Sequence, residues 1–268
     1  MTDFAFGLPP SLGKDPVFEM AREFADVLFA ARFTTVVPYR SYEALQQGLF
    51  SGEVDAAWGP PIICARVEAA GGIVAHRAIR RGGTTYRSAL ICRKQDRWDL
   101  GIVKSGGFRP RAVWCDAWSM GGFLLARSLL QAQGIDLDSQ LLNQRWLGSY
   151  TACFDSLNEY DGDLTASFVG ASGGLEAIWG PRVDRLQIIA LSEESPNDGI
   201  VIAPKLDDKR TLQIRENLQQ LLANRGAHKI LCTQFSVEGF DSPPSNIYAP
   251  LLDVIGWTAF REDMSTGH

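Results

Sequence analysis

The chain has only three histidines, His76, His228 and His268, and they lie far apart in the sequence. It contains no H-E-x-x-H, Walker or G-x-G-x-x-G pattern, and its glycine-rich segment 101–107 lacks the spacing of a phosphate-binding loop. No two of the five cysteines have metal-ligand spacing. The sequence therefore predicts no catalytic residue, no metal and no cofactor, although the residues of an active site need not be adjacent in sequence.

Long apolar segments and an excess of positive charge are also missing. No apolar run is long enough to span a bilayer, and no basic segment followed by an apolar one opens the chain, so we expect no membrane insertion and no signal peptide. The 26 basic and 31 acidic residues give a net charge of −5, which argues against a nucleic-acid partner. The composition, 46% hydrophobic and 21% charged, is that of an ordinary globular protein.

The five cysteines are odd in number, widely spaced and set among apolar residues. Such cysteines are typical of buried free thiols in a reducing compartment, and they do not indicate a disulfide framework. Together with the expected lack of a signal peptide, they predict a cytoplasmic protein. The alternative is a periplasmic protein from which the export signal has been removed.

One short pattern occurs twice in the chain. The first copy opens on Ser41–Ala44 and closes on Gly52–Ala57, and the second opens on Ser149–Ala152 and closes on Gly162–Ser167. Each copy predicts an N-cap, a helix, a glycine stop and a short buried strand. Because the copies lie about a hundred residues apart, they favour two similar lobes over a solenoid. The alternative is chance similarity between two common helix-to-strand turns.

The order of the predicted elements indicates an α/β fold. Strands and helices alternate through short loops, which predicts a parallel sheet covered on both faces. Segments 84–93 and 186–191 are predicted to cross between two similar doubly wound lobes, as a two-strand hinge. We expect residues 1–85 to open lobe 1, residues 86–190 to form lobe 2 and residues 191–268 to return to lobe 1. A cleft between such lobes is expected to close about a ligand.

The strongest ligand-site candidate is the turn Asp116–Gly122, which follows a predicted strand and opens a predicted helix, Gly121–Gln133. Ligands of open parallel sheets bind at the carboxyl ends of strands, beside helix N-termini. The backbone N–H groups there favour an anion, and Ser119 adds a hydroxyl group. Simple helix capping explains Ser119 about as well. The other candidates in this turn are the backbone of Met120, Gly121 and Gly122, and Trp118 as an apolar wall.

The two repeat helices open on Ser41-Tyr42 and Ser149-Tyr150. We expect these two caps to contact one ligand from opposite sides of the cleft. Helix capping alone explains both serines equally well, but it does not explain the paired tyrosines. Ser11, in the proline-rich loop after the first strand, is a weaker candidate.

The first crossing strand contains Tyr86, Arg87 and Ser88, which we expect at the hinge, on the floor of the site. Arg87 could neutralise an anionic ligand through a bidentate contact, although such arginines are more often solvated surface charges. Trp58 is a candidate apolar wall, although tryptophans are more often part of a core.

Together these segments resemble the type 2 periplasmic-binding fold, and within it the phosphate/phosphonate-type substrate-binding proteins of ABC importers. The resemblance covers most of the chain and depends on the order and spacing of four motifs: Ser41-Tyr42 with Gly52–Trp58, Tyr86–Ile91, Asp116–Gly122, and Ser149-Tyr150 with Gly162-Asp163. It implies a binding protein without catalysis, a small anionic ligand, and an ABC permease or a regulator as partner.

Two departures from the family pattern bear on the ligand. The family's anion loop usually reads Asp-Pro-x-Ser-Thr-Ser-Gly, whereas Asp116–Gly122 retains only one of those three hydroxyl donors. The second repeat helix often opens with Ser-His, and here Tyr150 replaces the histidine. We therefore expect a carboxylate or sulfonate with an apolar body instead of phosphate or a simple phosphonate. The alternative function, by analogy of fold alone, is a cytosolic lyase similar to the menaquinone-pathway enzyme chorismate dehydratase.

Overall fold

The computed structural model describes residues 3–10, 25–80, 83–170 and 174–256. The chain divides into two compact units. Unit 1 consists of Met1–Thr84 and Pro196–His268, and unit 2 consists of Thr85–Ser195. Among the described residues, no helix has the length and apolar character needed to cross a membrane.

The elements follow one another in alternating order. The described residues of unit 1 begin with β1 (Phe4–Leu8), β2 (Phe33–Pro38), α1 (Tyr42–Ser51), β3 (Ala56–Gly59), α2 (Pro61–Ala69) and β4 (Ile73–Ile79). Unit 2 contains β5 (Thr85–Arg93), α3 (Leu100–Lys104), β6 (Arg111–Trp114), a π-helix (Met120–Leu124), α4 (Leu125–Ala132), α5 (Leu137–Gln140), β7 (Asn143–Trp146), α6 (Tyr150–Asn158), β8 (Thr165–Gly170), α7 (Glu176–Trp179), a 3₁₀ turn (Gly180–Val183) and β9 (Leu186–Leu191). Then come β10 (Ser195–Pro196), β11 (Gly199–Ile202), α8 (Asp208–Ala223), α9 (Arg225–Phe235), β12 (Gly239–Asp241) and α10 (Leu251–Ile255).

The described strands of unit 1 form a six-stranded sheet in the order β12-β4-β11-β3-β1-β2. Strand β1 pairs in parallel with β2 and β3, as predicted. However, β11 lies antiparallel between β3 and β4, and β12 is antiparallel to β4. The prediction of an all-parallel sheet is therefore wrong, because the segment that returns from unit 2 enters the middle of the sheet in the opposite direction.

The core of unit 1 packs this sheet against α8 and α9. Apolar side chains of β1 alternate with the pleat, so that Phe4, Phe6 and Leu8 are buried on one face. Helix α8 contributes buried residues at helical spacing, among them Ile214 and Leu218. This alternation and this spacing are what the sequence pattern predicts.

Unit 2 is organised around β5, which pairs antiparallel with β8 and β9. Strands β6 and β7 pair in parallel in a two-stranded sheet, and an isolated bridge joins Ala112 to Leu164. The predicted crossing segments 84–93 and 186–191 thus correspond to β5 and β9, which are neighbours within one sheet.

The predicted helix Gly121–Gln133 opens with a π-helical turn. The N–H groups of Phe123 and Leu124 both donate to the Ser119 carbonyl oxygen at 3.0 Å. This shared acceptor widens the first turn before α4 continues as a regular α-helix. A predicted helix over 17–31 lies largely outside the described residues, of which 25–29 are helical.

Both copies of the repeat form the predicted N-cap and helix. Helix α1 is capped by Ser41 and ends at Gly52, whose φ of 83° is left-handed as the predicted glycine stop requires. Helix α6 is capped by Ser149, but it ends at Asn158, before Gly162. The glycine stop is therefore confirmed in the first copy only. In the second copy Tyr160 takes the left-handed conformation, with φ 62°.

Candidate functional site

The strongest sequence candidate, Ser119, lies before the π-helix and contacts Tyr150. Ser119 Oγ accepts a hydrogen bond from the Gly122 N–H at 3.1 Å and lies 2.9 Å from Tyr150 Oη. Ser119 is thus the helix cap that the simpler interpretation predicts, and it is also part of a hydroxyl pair. Either hydroxyl group can be the donor within the pair.

Gly121 allows a close approach between the π-helix and the strands behind it. A Cβ atom at this position would lie 3.0 Å from Phe168 Cβ and 3.2 Å from Tyr86 Cε2. Both contacts are tighter than ordinary van der Waals distances, so a side chain here would displace an aromatic residue. The space beside Gly121 is thus taken by protein side chains, and a ligand contact to its backbone stays a prediction.

Gly122 is more constrained than Gly121. A Cβ atom there would lie 2.2 Å from Cys115 Sγ and 2.9 Å from both Ser119 Oγ and Tyr150 Cε1. The thiol, the two hydroxyl groups and the glycine therefore meet at one point. Any side chain at position 122 would separate the hydroxyl pair.

Cys115 belongs to this cluster, and the sequence indicated only that it is a buried thiol. Burial raises the pKa of the Cys115 thiol, whereas hydrogen bonds from Ser119 and Tyr150 work to lower it. The raised pKa keeps the group a neutral thiol near pH 7. Its place directly before Asp116 in the candidate turn is the sequence feature that could have identified it.

An aromatic cluster adjoins the hydroxyl pair. The ring centroids of Tyr150, Phe168 and Trp179 lie 5.3 to 5.4 Å from one another. Phe154, which is fully buried, packs on Trp179 at 5.1 Å, whereas the other three residues are only partly buried. We call Tyr150, Phe168 and Trp179 the ring triangle. Phe168 and Trp179 were not predicted, because their approach to Tyr150 depends on tertiary packing.

Arg87 on β5 forms an ion pair within unit 2. Its guanidinium donates to the Ser192 carbonyl oxygen at 3.0 Å and to Glu194 Oε1 at 3.2 Å. Hydrogen bonds from Thr85 and Arg87 lower the pKa of Glu194. The charge of Arg87 is thus directed to a carboxylate of the protein, and a contact between Arg87 and a ligand stays a prediction.

Ser88, the next residue along β5, is fully buried. Its hydroxyl donates to the Gly121 carbonyl oxygen at 2.7 Å, and its N–H donates to Ser192 Oγ at 2.9 Å. Ser88 therefore attaches the π-helix to β5. Its hydroxyl proton is used by the protein, so its contribution to the site is to position Gly121.

The candidates of unit 1 lie on α1 and β3. Ser41 accepts a hydrogen bond from the Ala44 N–H at 3.1 Å, which makes it the N-cap of α1, with Tyr42 as the first helical residue. Trp58 is buried in the core of unit 1, where it stacks on Phe235 with centroids 3.9 Å apart and planes 7° apart. This is the core role that the sequence analysis held to be the commoner one for tryptophan.

The remaining candidates have capping, turn or core positions. Ser149 accepts from the Ala152 N–H at 3.2 Å, and the Trp118 N–H donates to Asp116 Oδ1 at 2.7 Å. The side chain of Met120 is buried, so that a ligand at the surface could reach only its backbone. Ser11 lies outside the described residues.

One catalytic-type pattern is present in unit 2. Residues 170–174 read Gly-Ala-Ser-Gly-Gly, which fits the G-x-S-x-G spacing and begins at the last residue of β8. Serine nucleophiles are most often activated by a histidine base. His76 and His228, the two described histidines, belong to unit 1. Ser172 itself lies outside the described residues.

The repeated carboxylates Asp55 and Asp163 are structural, as predicted. Asp55 accepts from the Ala5 N–H and from Arg210 at 2.7 and 2.8 Å. Asp163 accepts from the Arg111 N–H and guanidinium and, in addition, from Arg93 at 2.7 Å. Burial works to raise the pKa of Asp163, but the hydrogen bonds from Arg111 and Arg93 outweigh it and lower the pKa well below 3.8.

A separate cavity of about 350 Å³ lies in unit 2, lined by Phe123, Arg127, Gln131, Asp136, Leu137, Asp138, Gln144 and Trp146. None of the predicted site residues lines it. Within the described part of the chain, no group of three or more His, Cys, Asp and Glu residues is arranged to hold a metal ion.

Comparison with known proteins identifies a family. Residues 6–246 match the family described as ABC transporter, phosphonate, periplasmic substrate-binding protein. A search of curated proteins finds no match.

Several solved structures share the fold over nearly the whole chain. XAC2383 from Xanthomonas citri bound to ATP has a TM-score of 0.78 at 15% identity and covers 98% of this chain and 99% of its own. A binding protein component of an ABC phosphonate transporter from Pseudomonas aeruginosa has a TM-score of 0.73 at 16% identity. The match covers 99% of this chain and 89% of that protein. PhnD1 from Prochlorococcus marinus in complex with methylphosphonate has a TM-score of 0.71 at 17% identity. The match covers 96% of this chain and 98% of that protein. At these identities the likeness shows the fold alone.

Proposed function

The chain belongs to the family of periplasmic substrate-binding proteins of phosphonate ABC transporters, and from this premise we propose that it binds a small anion with an apolar body at Ser119 and Tyr150. The predicted family and the predicted type 2 periplasmic-binding fold are confirmed. The family is one of substrate-binding proteins, so the chain is a receptor and not an enzyme. The alternative of a lyase on the same fold is therefore set aside.

The observation that carries the proposal is the hydroxyl pair of Ser119 and Tyr150, 2.9 Å apart. The pair lies beside the start of the π-helix, where the helix dipole favours negative charge, and hydroxyl groups can donate a hydrogen bond to an anionic oxygen. A hydrogen bond to a charged acceptor is stronger than one to a neutral acceptor. An anionic oxygen is therefore the ligand group that this position suits best.

The ligands of related structures support an anion. The proteins of the same fold are described as bound to ATP, to a chloride ion and to methylphosphonate. In this chain, however, the turn Asp116–Gly122 has one hydroxyl donor, and a thiol and aromatic rings surround it. Such a site satisfies the single negative charge of a carboxylate or sulfonate more easily than a phosphonate, which can carry two negative charges and then needs more charge-assisted donors.

The test is a thermal-shift and titration panel on the purified protein with phosphate, methylphosphonate, acetate, benzoate and benzenesulfonate. A ligand at a hundred times its dissociation constant stabilises the protein by about 2.7 kcal/mol. We expect a carboxylate or sulfonate to bind and to be recovered unchanged. Binding of phosphate or methylphosphonate alone would contradict the proposed ligand class.

Variants locate the site. Ser119→Ala is expected to weaken binding by about 1–2 kcal/mol, the contribution of one hydrogen bond to a charged group. Tyr150→Phe, which keeps the ring and removes only the hydroxyl, should have a similar effect. Ser105→Ala is the matched control, because the hydroxyl group of this exposed serine, at the end of α3, donates to the Ile102 carbonyl oxygen of the same helix. Unchanged affinity in both site variants would remove the hydroxyl pair from the site.

The contribution of unit 1 is tested in the same titrations. Ser41 and Tyr42 were predicted to contact the ligand as the counterparts of Ser149 and Tyr150, and this stays a prediction. Tyr42→Phe should weaken binding if the Tyr42 hydroxyl contacts the anion. Its affinity should equal that of the unsubstituted protein if the contacts are confined to unit 2.

We infer the partner of the protein from its family and its compartment from its cysteines. The family implies an ABC permease as partner. The five free cysteines, four of them buried, favour a reducing compartment. Cell fractionation combined with thiol labelling separates the two cases: reduced protein in the cytoplasmic fraction supports a cytoplasmic receptor, whereas protein in the periplasmic fraction supports an importer component.

A further inference from the structure

We propose that the cavity of unit 2 is a second binding site, and that it takes a free α-amino acid with an apolar side chain. The cavity has a volume of about 350 Å³, which is in the range of small-molecule sites. The inference does not depend on the proposed function, because Ser119 and Tyr150 are not among the described residues that line the cavity.

A helix and a strand bring most of the lining side chains to one place. Phe123, Arg127 and Gln131 are spaced four residues apart along the π-helix and α4, so they lie on one side of this continuous helix. Gln144 and Trp146 are two residues apart on β7 and therefore share one face of the strand. The cavity is thus built from regular elements of unit 2.

The floor of the cavity is apolar, and an exposed tryptophan lies at its mouth. Phe123 and Leu137 are each 8% exposed, whereas Trp146 is 47% exposed. The rings of Phe123 and Trp146 meet edge to face, with centroids 4.6 Å apart and planes at 81°. An apolar group that enters here covers the indole and removes apolar surface from water. The cavity therefore suits a ligand with an apolar side chain.

Two polar side chains of the lining can hold a carboxylate. Gln144 Oε1 accepts a hydrogen bond from Nε1 of the buried Trp114 at 3.0 Å, which fixes the amide with its NH2 group on the side away from Trp114. Arg127 Cζ lies 5.7 Å from the centroid of the Phe123 ring. The guanidinium has five N–H donors, so a ligand carboxylate can share it with partners in the protein. Burial lowers the pKa of Arg127, and a carboxylate beside it favours the charged form.

Two carboxylates of the same lining can hold an ammonium group. Asp136 Oδ1 caps α5, where it accepts from the Ser139 N–H at 2.8 Å and from the Ser139 hydroxyl at 2.6 Å. These hydrogen bonds lower the pKa of Asp136, which is therefore an anion near pH 7. Asp138 lies in the first turn of α5 and is exposed at the cavity. An ammonium group has three N–H donors for such carboxylates.

The presence of both signs of charge selects the ligand class. A simple anion in this cavity would be repelled by Asp136 and Asp138, and a simple cation would be repelled by Arg127. An α-amino acid carries a carboxylate and an ammonium group on one carbon atom, so it can pair with both signs at once. Its side chain is then left for the apolar floor.

The experiment is a calorimetric titration of the whole chain near pH 7 with L-phenylalanine and with 2-phenylethylamine, which lacks only the carboxylate. We expect L-phenylalanine to bind about tenfold more tightly, since the amine loses the hydrogen bonds to a charged group. Equal affinity for the amine, or no binding of L-phenylalanine, would overturn the inference. The proposed function is tested with anions that have no ammonium group, so the failure of one proposal is seen separately from the failure of the other.

Two variants assign the two charges. Asp138→Asn is expected to weaken L-phenylalanine binding about threefold to tenfold, whereas 3-phenylpropionate, which lacks the ammonium group, should bind at least as tightly as before. Gln144→Glu keeps an acceptor for Trp114 and replaces the NH2 donor by a charged oxygen. It should weaken L-phenylalanine binding about tenfold and leave 2-phenylethylamine binding at least as tight.

The matched control is Asp184→Asn, because Asp184 is exposed, belongs to unit 2 and is outside the residues that line the cavity. Its affinity for L-phenylalanine should equal that of the unsubstituted protein. An equal loss in the control, or unchanged affinity in both Asp138→Asn and Gln144→Glu, would overturn the inference.

Fluorescence gives an independent result. L-leucine has no ring, so a change in tryptophan emission on its binding comes from the protein. We expect L-leucine to change the emission, and we expect this change to disappear in Trp146→Phe while binding persists, because the phenyl ring keeps the apolar contact. A change that survives in Trp146→Phe would show that one of the other six tryptophans reports binding, and it would contradict the placement of the ligand at Trp146.

Discussion

Unit 1 and unit 2 build the same local arrangement around a buried aspartate. In unit 1 the Ala5 N–H of β1 donates to Asp55, and in unit 2 the Arg111 N–H of β6 donates to Asp163. In both units the aspartate follows a serine-capped helix and accepts a bidentate contact from an arginine. The repeat therefore encodes a structural connection between the segment after a helix and a neighbouring strand, β1 in unit 1 and β6 in unit 2.

The two units differ in what surrounds the helix that precedes this aspartate. At the start of α6, Tyr150 contacts Ser119 and the rings of Phe168 and Trp179. In unit 1 the arginine that holds Asp55 comes from α8, far along the chain, whereas in unit 2 Asp163 is held by Arg111 and also by Arg93. The comparison teaches that one repeated scaffold can lie in different surroundings, because the residues that contact Tyr150, namely Ser119, Phe168 and Trp179, come from outside the repeat.

The largest expected effect is on the buried carboxylates. Asp163→Asn removes the carboxylate that pairs with Arg111 and one of the two that pair with Arg93, whose other partner is Asp96, and breaking such a buried pair costs about 3–5 kcal/mol of unfolding free energy. Asp55→Asn should cost less, because one arginine is affected instead of two. Urea unfolding measures the total loss of unfolding free energy in each variant. Hydrogen exchange shows whether unit 1 or unit 2 has lost stability. An equal or larger loss for Asp55→Asn would break the comparison.

Acidic pH should also lower the unfolding free energy through Asp163, by a smaller amount than Asp163→Asn does. The pKa of Asp163 in the folded state is below its unfolded value, so the stability that this group contributes is complete above the unfolded pKa of about 3.9 and is lost as the pH falls through the folded pKa. Below about pH 5 the unfolding free energy should therefore begin to fall. In Asp163→Asn this part of the pH dependence should be missing. An identical acid transition in the variant would contradict the assignment.

The next effect concerns the close contacts of unit 2. Gly122→Ala places a methyl group against Cys115 and the hydroxyl pair, and overpacking of this kind costs about 1–3 kcal/mol. It should also abolish the binding of benzoate. Gly226→Ala is the control in unit 1, because its Cβ would meet only Asn224 Oδ1 at 3.4 Å. If Gly122→Ala binds and unfolds like the control, the contacts around Cys115 are looser than described.

The smallest expected loss of stability comes from removing a helix cap, and it should be equal in the two units. Ser41 and Ser149 make equivalent capping bonds, at 3.1 and 3.2 Å. Replacement of either serine by alanine should therefore cost about 1 kcal/mol of unfolding free energy. Urea unfolding of the two variants side by side checks this, and a clear difference between them would show that one serine has a role beyond capping.

Much of the scaffold could be predicted from short stretches of sequence. The caps at Ser41 and Ser149, the stop at Gly52 and the β-branched or apolar strands depend on residues that are neighbours in the chain. The π-helical opening before α4 could not be predicted in this way. It arises because Phe123 and Leu124 share the Ser119 carbonyl oxygen, which is a matter of packing against β5 and β8.

In the candidate site, too, single residues could be predicted from the sequence, whereas their contacts could not. Ser119 and Tyr150 were both predicted from their caps, but their contact joins residues 31 positions apart. Arg87 was predicted as a charge for the ligand, and its pairing with Glu194 became visible only when β5 and the segment after β9 lay side by side. Phe168 and Trp179 have no local signature at all.

By itself, then, the sequence determined the alternation of strands and helices and the repeated capped helix, and its motifs resemble the family to which the chain belongs. The alternation and the caps follow from local backbone preferences and from the periodicity of apolar residues, which act between near neighbours. A ligand at the turn Asp116–Gly122 stays a prediction. The tertiary structure alone decided that the sheet of unit 1 is mixed, that Cys115 contacts the hydroxyl pair and that three rings adjoin it. Those contacts are made between distant segments, and they exist only when the burial of the apolar core brings the segments together.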